Sequence, residues 1–66
     1  MKANKEFLIK EVTQAEAHTI IQSHEPRGLF YRRDGIRWVG IDNMTGDAWV
    51  EEFIDLDQCL AWLRRE

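Results

Sequence analysis

Three observations predict one small α+β domain spanning residues 1–66: a three-stranded antiparallel meander flanked by two helices, in the order α-β-β-β-α. Two turn signals, Asp34-Gly35 and Asn43-Met44-Thr45-Gly46, separate three apolar, β-prone segments. A capping-box pattern at Thr13-Gln14-Ala15-Glu16 announces a helix before them. A stripe of Leu56, Cys59, Leu60 and Leu63 at i, i+3, i+4 and i+7 announces another after them. With 66 residues, 44% of them hydrophobic, the chain is too apolar for a disordered segment and has room for a single core. A domain of this size buries only about 60% of the surface its unfolded chain exposes, so each of the large apolar side chains counts.

Residues 6–12 carry Phe7, Leu8, Ile9 and Val12, which fit neither a strict two-residue alternation nor a clear helical stripe. They read as a short strand ahead of the first helix. That helix starts at Thr13 and ends near Ser23, because Pro26 disfavours helical geometry at Glu25. Its apolar stripe of Ala17, Ile20 and Ile21 is narrow. The three strands fall at about residues 28–33, 36–42 and 47–54. Asp34-Gly35 suits a two-residue type I′ turn, and a three-residue loop with a glycine bulge is the alternative. At the second hairpin, Asn43 favours the first position of a type I turn and Gly46 the left-handed position that closes a bulged hairpin. Asp55 then caps the last helix, with Gln58 three residues on, and Arg64 and Arg65 complement its dipole.

The two turns fix which side chains share a sheet face. One face carries Leu29, Tyr31, Ile36, Trp38, Gly40, Ala48, Val50 and Ile54, along with Arg33 and Glu52. The other carries Phe30, Arg32, Arg37, Val39, Ile41, Trp49, Glu51 and Phe53. Gly40 and Ala48 are small enough for a helix to approach, so both helices are expected over the first face. The second is then an open aromatic surface, unless the N-terminal segment folds over it. A three-residue first loop would exchange Leu29 and Tyr31 with Phe30 and Arg32.

The net charge of −3 conceals segregation. Arg27, Arg32, Arg33 and Arg37 cluster with only Asp34 opposing them, whereas Asp42, Asp47, Glu51, Glu52, Asp55 and Asp57 follow without a base among them. Cross-strand pairing of Arg32 and Arg37 with Glu51 accounts for part of this. Phosphate contact by the arginines, with Tyr31 and Trp38 stacking bases, is a second reading, disfavoured by the acidic chain as a whole. The acidic run alternatively opposes a basic partner or imitates nucleic-acid phosphates towards one.

Signals for catalysis and metal binding are weak. The Asp42–Asp47 stretch departs from a calcium loop, since Met44 and Gly46 stand where oxygen ligands are required. His18 and His24 are six apart and miss the i, i+4 spacing of a helical zinc pair. Cys59 lies on an apolar stripe, as a packing residue does, and a lone cysteine suits a reducing compartment. No apolar run is long enough to span a bilayer, and residues 1–10 lack the pattern of a secretory signal, so a cytoplasmic location is expected. No catalytic residue, cofactor, metal or membrane partner is expected.

The stretch Pro26-Arg27-Gly28-Leu29-Phe30-Tyr31 is followed by Val39-Gly40-Ile41-Asp42-Asn43, Thr45-Gly46-Asp47-Ala48-Trp49 and Glu51-Glu52-Phe53. In that order these motifs resemble a group of small uncharacterised bacterial proteins, seen mostly in Firmicutes and their mobile elements, over roughly the C-terminal two thirds of the chain. The resemblance implies no activity and no site residue. The order helix, three strands, helix is also that of double-stranded RNA-binding domains, but Asp55 and Asp57 stand where those domains carry lysines. The expectation is therefore a non-enzymatic protein-interaction module. Its surface would be Phe30, Val39, Ile41, Trp49 and Phe53, oriented by Arg32, Arg37 and Glu51, and would meet an unidentified protein or a second copy. Nucleic-acid binding through Arg27, Arg32, Arg33 and Arg37 is the alternative, as is an acidic nucleic-acid mimic that inhibits a basic target.

Overall fold

A computed structural model describes residues 9–65. Six elements follow in order: β1 (Ile9–Glu11), α1 (Gln14–Ser23), β2 (Leu29–Asp34), β3 (Arg37–Asp42), β4 (Trp49–Phe53) and α2 (Leu56–Arg64). Of the strand expected over residues 6–12, the first part lies outside the described residues. The fold is α+β, with two helices on a four-stranded sheet of order β1-β2-β3-β4. The antiparallel meander forms as expected, but β1 pairs parallel to β2, so the sheet is mixed and its element order is β-α-β-β-β-α. Parallel pairing needs a crossover of a dozen or so residues, and α1 supplies it by returning the chain to the end from which β1 set out.

Both helices begin where the sequence places them. Thr13 accepts from the Glu16 amide (3.1 Å) while the Glu16 carboxylate accepts from the Thr13 amide (2.8 Å), closing the capping box. Asp55 caps α2 by accepting from the Asp57 amide at 2.8 Å. His24 ends α1 in the left-handed conformation, with φ 60°.

The helices lie on opposite faces of the sheet, which corrects the expectation that both cover one. Ala17 and Ile20 of α1 bury Phe30, Val39 and Ile41, with Val12 and Ile21 at the margin. Cys59 and Leu63 of α2 bury Leu29, against which Tyr31, Trp38, Phe53 and Trp62 pack. The physical cause is the apolar character of both faces of the two central strands: Leu29, Phe30 and Tyr31 alternate sides, and each side requires a covering layer. Gly40 lets α2 come close, as expected. A Cβ there would lie 3.0 Å from the Trp62 ring and 3.2 Å from the Cys59 sulfur.

Two registers differ in detail from the expectation. The first turn is Gly35-Ile36 rather than Asp34-Gly35, with Asp34 opposite Arg37. Gly35 takes φ +64° and Ile36 stays out of the left-handed region, the pattern of a type II′ turn, which spares Asp34 a positive φ. The pairing moves by two residues, so the sharing of faces between β2 and β3 is as expected. The second connection is longer, running from Asn43 to Ala48, and places Trp49 opposite Asp42, Glu51 opposite Gly40 and Phe53 opposite Trp38. That is a one-residue slip, and it turns every β4 side chain to the other face. Trp49, Glu51 and Phe53 thus share the α2 side, and Val50 and Glu52 the α1 side.

Asn43 holds that longer connection. Its side chain is fully buried; its amide nitrogen donates to the His24 (2.9 Å) and Pro26 (2.8 Å) carbonyls, and its oxygen accepts from the Ala48 amide (3.0 Å). His24 Nδ1 donates to the Gly46 carbonyl at 2.6 Å, and Ala48 adopts φ 50°. The loop after α1 and the loop before β4 are thereby tied together.

Candidate interaction site

The open aromatic face does not form. Phe30 and Val39 are each 5% exposed and Ile41 is 0% exposed, all beneath α1. Phe53 is half-buried on the other face, its ring centroid 5.6 Å from that of Trp62. Of the expected apolar contact residues, Trp49 alone is exposed, at 60%. Glu51 lies beside it and accepts from the indole Nε1 at 3.0 Å. Arg32 is half-buried on the α1 side and pairs with Asp34 at 3.7 Å; Arg37 is exposed beside the first turn. The expected pairing of Arg32 and Arg37 with Glu51 is excluded, because Glu51 faces the opposite side of the sheet.

What the fold brings together instead is the edge strand β4 and its flanks. Val50 (39% exposed), Ile54 (73%) and Met44 (39%) join Trp49 as large apolar side chains in water. Asp47, Glu51, Glu52, Asp55 and Asp57 are exposed along the same stretch. Residues 38–63 contain neither Lys nor Arg, so the charges carried by β4 and its flanks are acidic, with Arg27 against Gly46 and Arg65 paired to Asp42 as the basic groups at one end. Sequence reasoning assigned Val50 to a covered face and missed it. Glu51 and Glu52, which put a carboxylate on each side of the strand, were the available signal for an edge but not a sufficient one, since central β2 carries Arg32 and Arg33 in the same arrangement.

The main chain of β4 presents its free groups in an identifiable pattern. Gly28 and Asn43 exchange N–H···O=C bonds of 2.8 and 3.3 Å. Bonding alternates along an antiparallel strand, so Val39 and Ile41 also bond towards β2, whereas Trp38, Gly40 and Asp42 bond towards β4. Their partners Phe53, Glu51 and Trp49 therefore bond inward, and Val50 and Glu52 direct their N–H and C=O groups to the open edge.

Beside Trp49 lies a cleft of about 290 Å³, bordered by Leu29, Met44, Asp47, Leu63 and the ion pair of Asp42 with Arg65. Arg65 also sits over the Trp62 ring, 5.7 Å from its centroid, so its guanidinium is held on two sides.

The four arginines of the nucleic-acid reading are not assembled into one patch. Arg27 packs against Gly46, at the end of the sheet where β2 begins. Arg33 lies at the far end of β2, where it donates to the Gly35 carbonyl (2.9 Å) and covers Trp38, and it faces the side opposite Arg32. Cys59 is fully buried against Gly40 and Leu29, and burial pushes its thiol pKa up to about 11, which leaves it a protonated packing group at neutral pH. His18 is exposed on α1 and His24 caps that helix. Among the described residues no three metal-ligating side chains cluster, and no helix is long and apolar enough to cross a membrane.

Comparison with protein-family models, with curated proteins and with solved structures yields no match to this chain.

Proposed function

We propose that this protein is a non-enzymatic interaction module that docks a protein partner along β4 and the residues flanking it. The observation that carries the reading is Trp49, a large aromatic side chain 60% exposed on an edge strand, next to exposed Val50 and within an acidic surface. Tryptophan is among the residue types that most often dominate binding energy at interfaces, and exposed apolar area bounded by charge is typical of contact surfaces. The acidic flank of Asp47, Glu51, Glu52 and Asp55 steers a basic partner and repels acidic ones. Dispersal of Arg27, Arg32, Arg33 and Arg37 over two ends and two faces of the sheet weighs against a phosphate-binding groove.

Affinity capture from the source cells, quantified for wild type and Trp49→Glu, tests this reading. Loss of a packed tryptophan at the centre of an interface costs about 2 kcal/mol or more, so recovery of the partner should fall at least about tenfold. The melting temperature should stay within a few degrees, since Trp49 makes little contribution to the core. Sedimentation of both proteins identifies a second copy as the partner, if wild type alone associates. Equal recovery by both proteins, with melting unchanged, defeats the proposal.

A further inference from the structure

Resting on that reading, we infer that the partner enters by strand addition: an extended basic segment pairs antiparallel with the free edge of β4, reading Trp49 to Glu52 with two consecutive basic residues followed by two apolar ones. The pattern comes from register. A strand antiparallel to β4 meets Glu52, Glu51, Val50 and Trp49 in that order, and directly opposed residues share a face. Basic side chains therefore face Glu52 on the α1 side and Glu51 on the α2 side. Apolar side chains follow against Val50 and then Trp49, whose indole and neighbouring cleft receive the last of them.

Charge selects this occupant over a second copy of the same edge. Residues 49–53 hold Trp, Val, two Glu and Phe, so β4 laid on its own copy sets each glutamate against a glutamate or an apolar residue in every register. Like charges in directly opposed positions are destabilising, and consecutive charges are how edge strands avoid their own kind. The one described strand with two adjacent basic residues, β2 with Arg32 and Arg33, is central in the sheet and has neither edge free. The fitting strand therefore belongs to another protein.

Main-chain direction supplies the decisive control. Only Val50 and Glu52 present N–H and C=O groups outward, so only the incoming residues opposite those two form hydrogen bonds with the edge. The incoming amides opposite Glu51 and Trp49 point away.

Fluorescence anisotropy on the full chain at low salt, with a labelled peptide containing Arg-Arg-Val-Phe between threonines, tests the inference. Binding is expected, and exchanging both arginines for glutamates should weaken it about tenfold or more, from two cross-strand charge pairs made repulsive. N-methylation of the first Arg and the Val amides should weaken it by a similar factor, and N-methylation of the second Arg and the Phe amides should leave it unchanged. Absence of binding, equal binding of the glutamate peptide, or indifference to which amides are methylated overturns strand addition. So does dimerisation of the protein alone that Glu52→Lys strengthens or abolishes, since β4 is then occupied by its own copy. Failure of the module reading is seen separately, in capture that does not depend on Trp49.

Discussion

Asn43 decides where Trp49 points. Its three side-chain hydrogen bonds span the loop after α1 and the loop before β4, and they set the length of the connection on which the β4 register depends. Replacing it by alanine empties a fully buried site and takes the partner from the part-buried His24 and Pro26 carbonyls and the Ala48 amide, groups that cost stability when left unpaired. Asn43→Ala should lower stability by about 2–3 kcal/mol, roughly 10 °C or more in Tm for a domain of this size. Asn43→Asp should cost more at neutral pH, because a carboxylate then faces the carbonyls of His24 and Pro26 with nothing to donate. Thermal unfolding followed by circular dichroism checks both; an Asp variant as stable as wild type contradicts the account. At this scale the sequence marked Asn43 and Gly46 correctly as loop formers. It could not reveal that the Asn43 side chain reaches carbonyls 17 and 19 residues earlier, since no local pattern records a contact at that separation.

Elements formed largely as their sequences demand, and their placement is what differed. The Thr13–Glu16 box, the Asp55 cap and the Leu56–Leu63 stripe are local signals, and both helices start where those signals put them. The assignment of faces failed for two reasons of geometry. Parallel pairing of β1 with β2 rests on only three residues, too short a run to show in periodicity. The β3–β4 connection took Ala48 out of the strand with a positive φ, a conformation no turn rule expects of alanine. One small residue was read correctly: Gly40 is where α2 lies on the sheet backbone. Gly40→Ala should therefore destabilise by about 1–3 kcal/mol through overpacking against Trp62 and Cys59, lowering Tm by several degrees or more. Unchanged melting, or a gain from the removed glycine entropy, would contradict overpacking and show that Trp62 and Cys59 yield to the added methyl group.

For the whole molecule, small size turns the disposition of apolar side chains into a functional constraint. Two helices are spent covering two faces of two central strands, and of the large apolar side chains that stay exposed, Trp49, Val50 and Ile54 lie on or just after the edge strand and Met44 in the preceding loop, while Ile36 stands apart in the β2–β3 turn. The same stretch holds the acidic half of a charge distribution whose basic half is scattered, so on the proposed reading one stretch sets both the contact surface and the sign of its partner. The sequence displayed both the aromatic surplus and the acidic run. It assigned the surplus to a face because register there hung on a single turn. Residue-resolved amide hydrogen exchange on the free protein measures the central claim most directly. Val50 and Glu52 should exchange fast while Glu51 between them is protected, and Phe30, Val39 and Ile41 beneath α1 should be among the slowest. Protection of Val50 and Glu52 equal to that of Glu51 would mean that the β4 edge is already covered, and fast exchange at Phe30, Val39 and Ile41 would return the open surface to the sheet face.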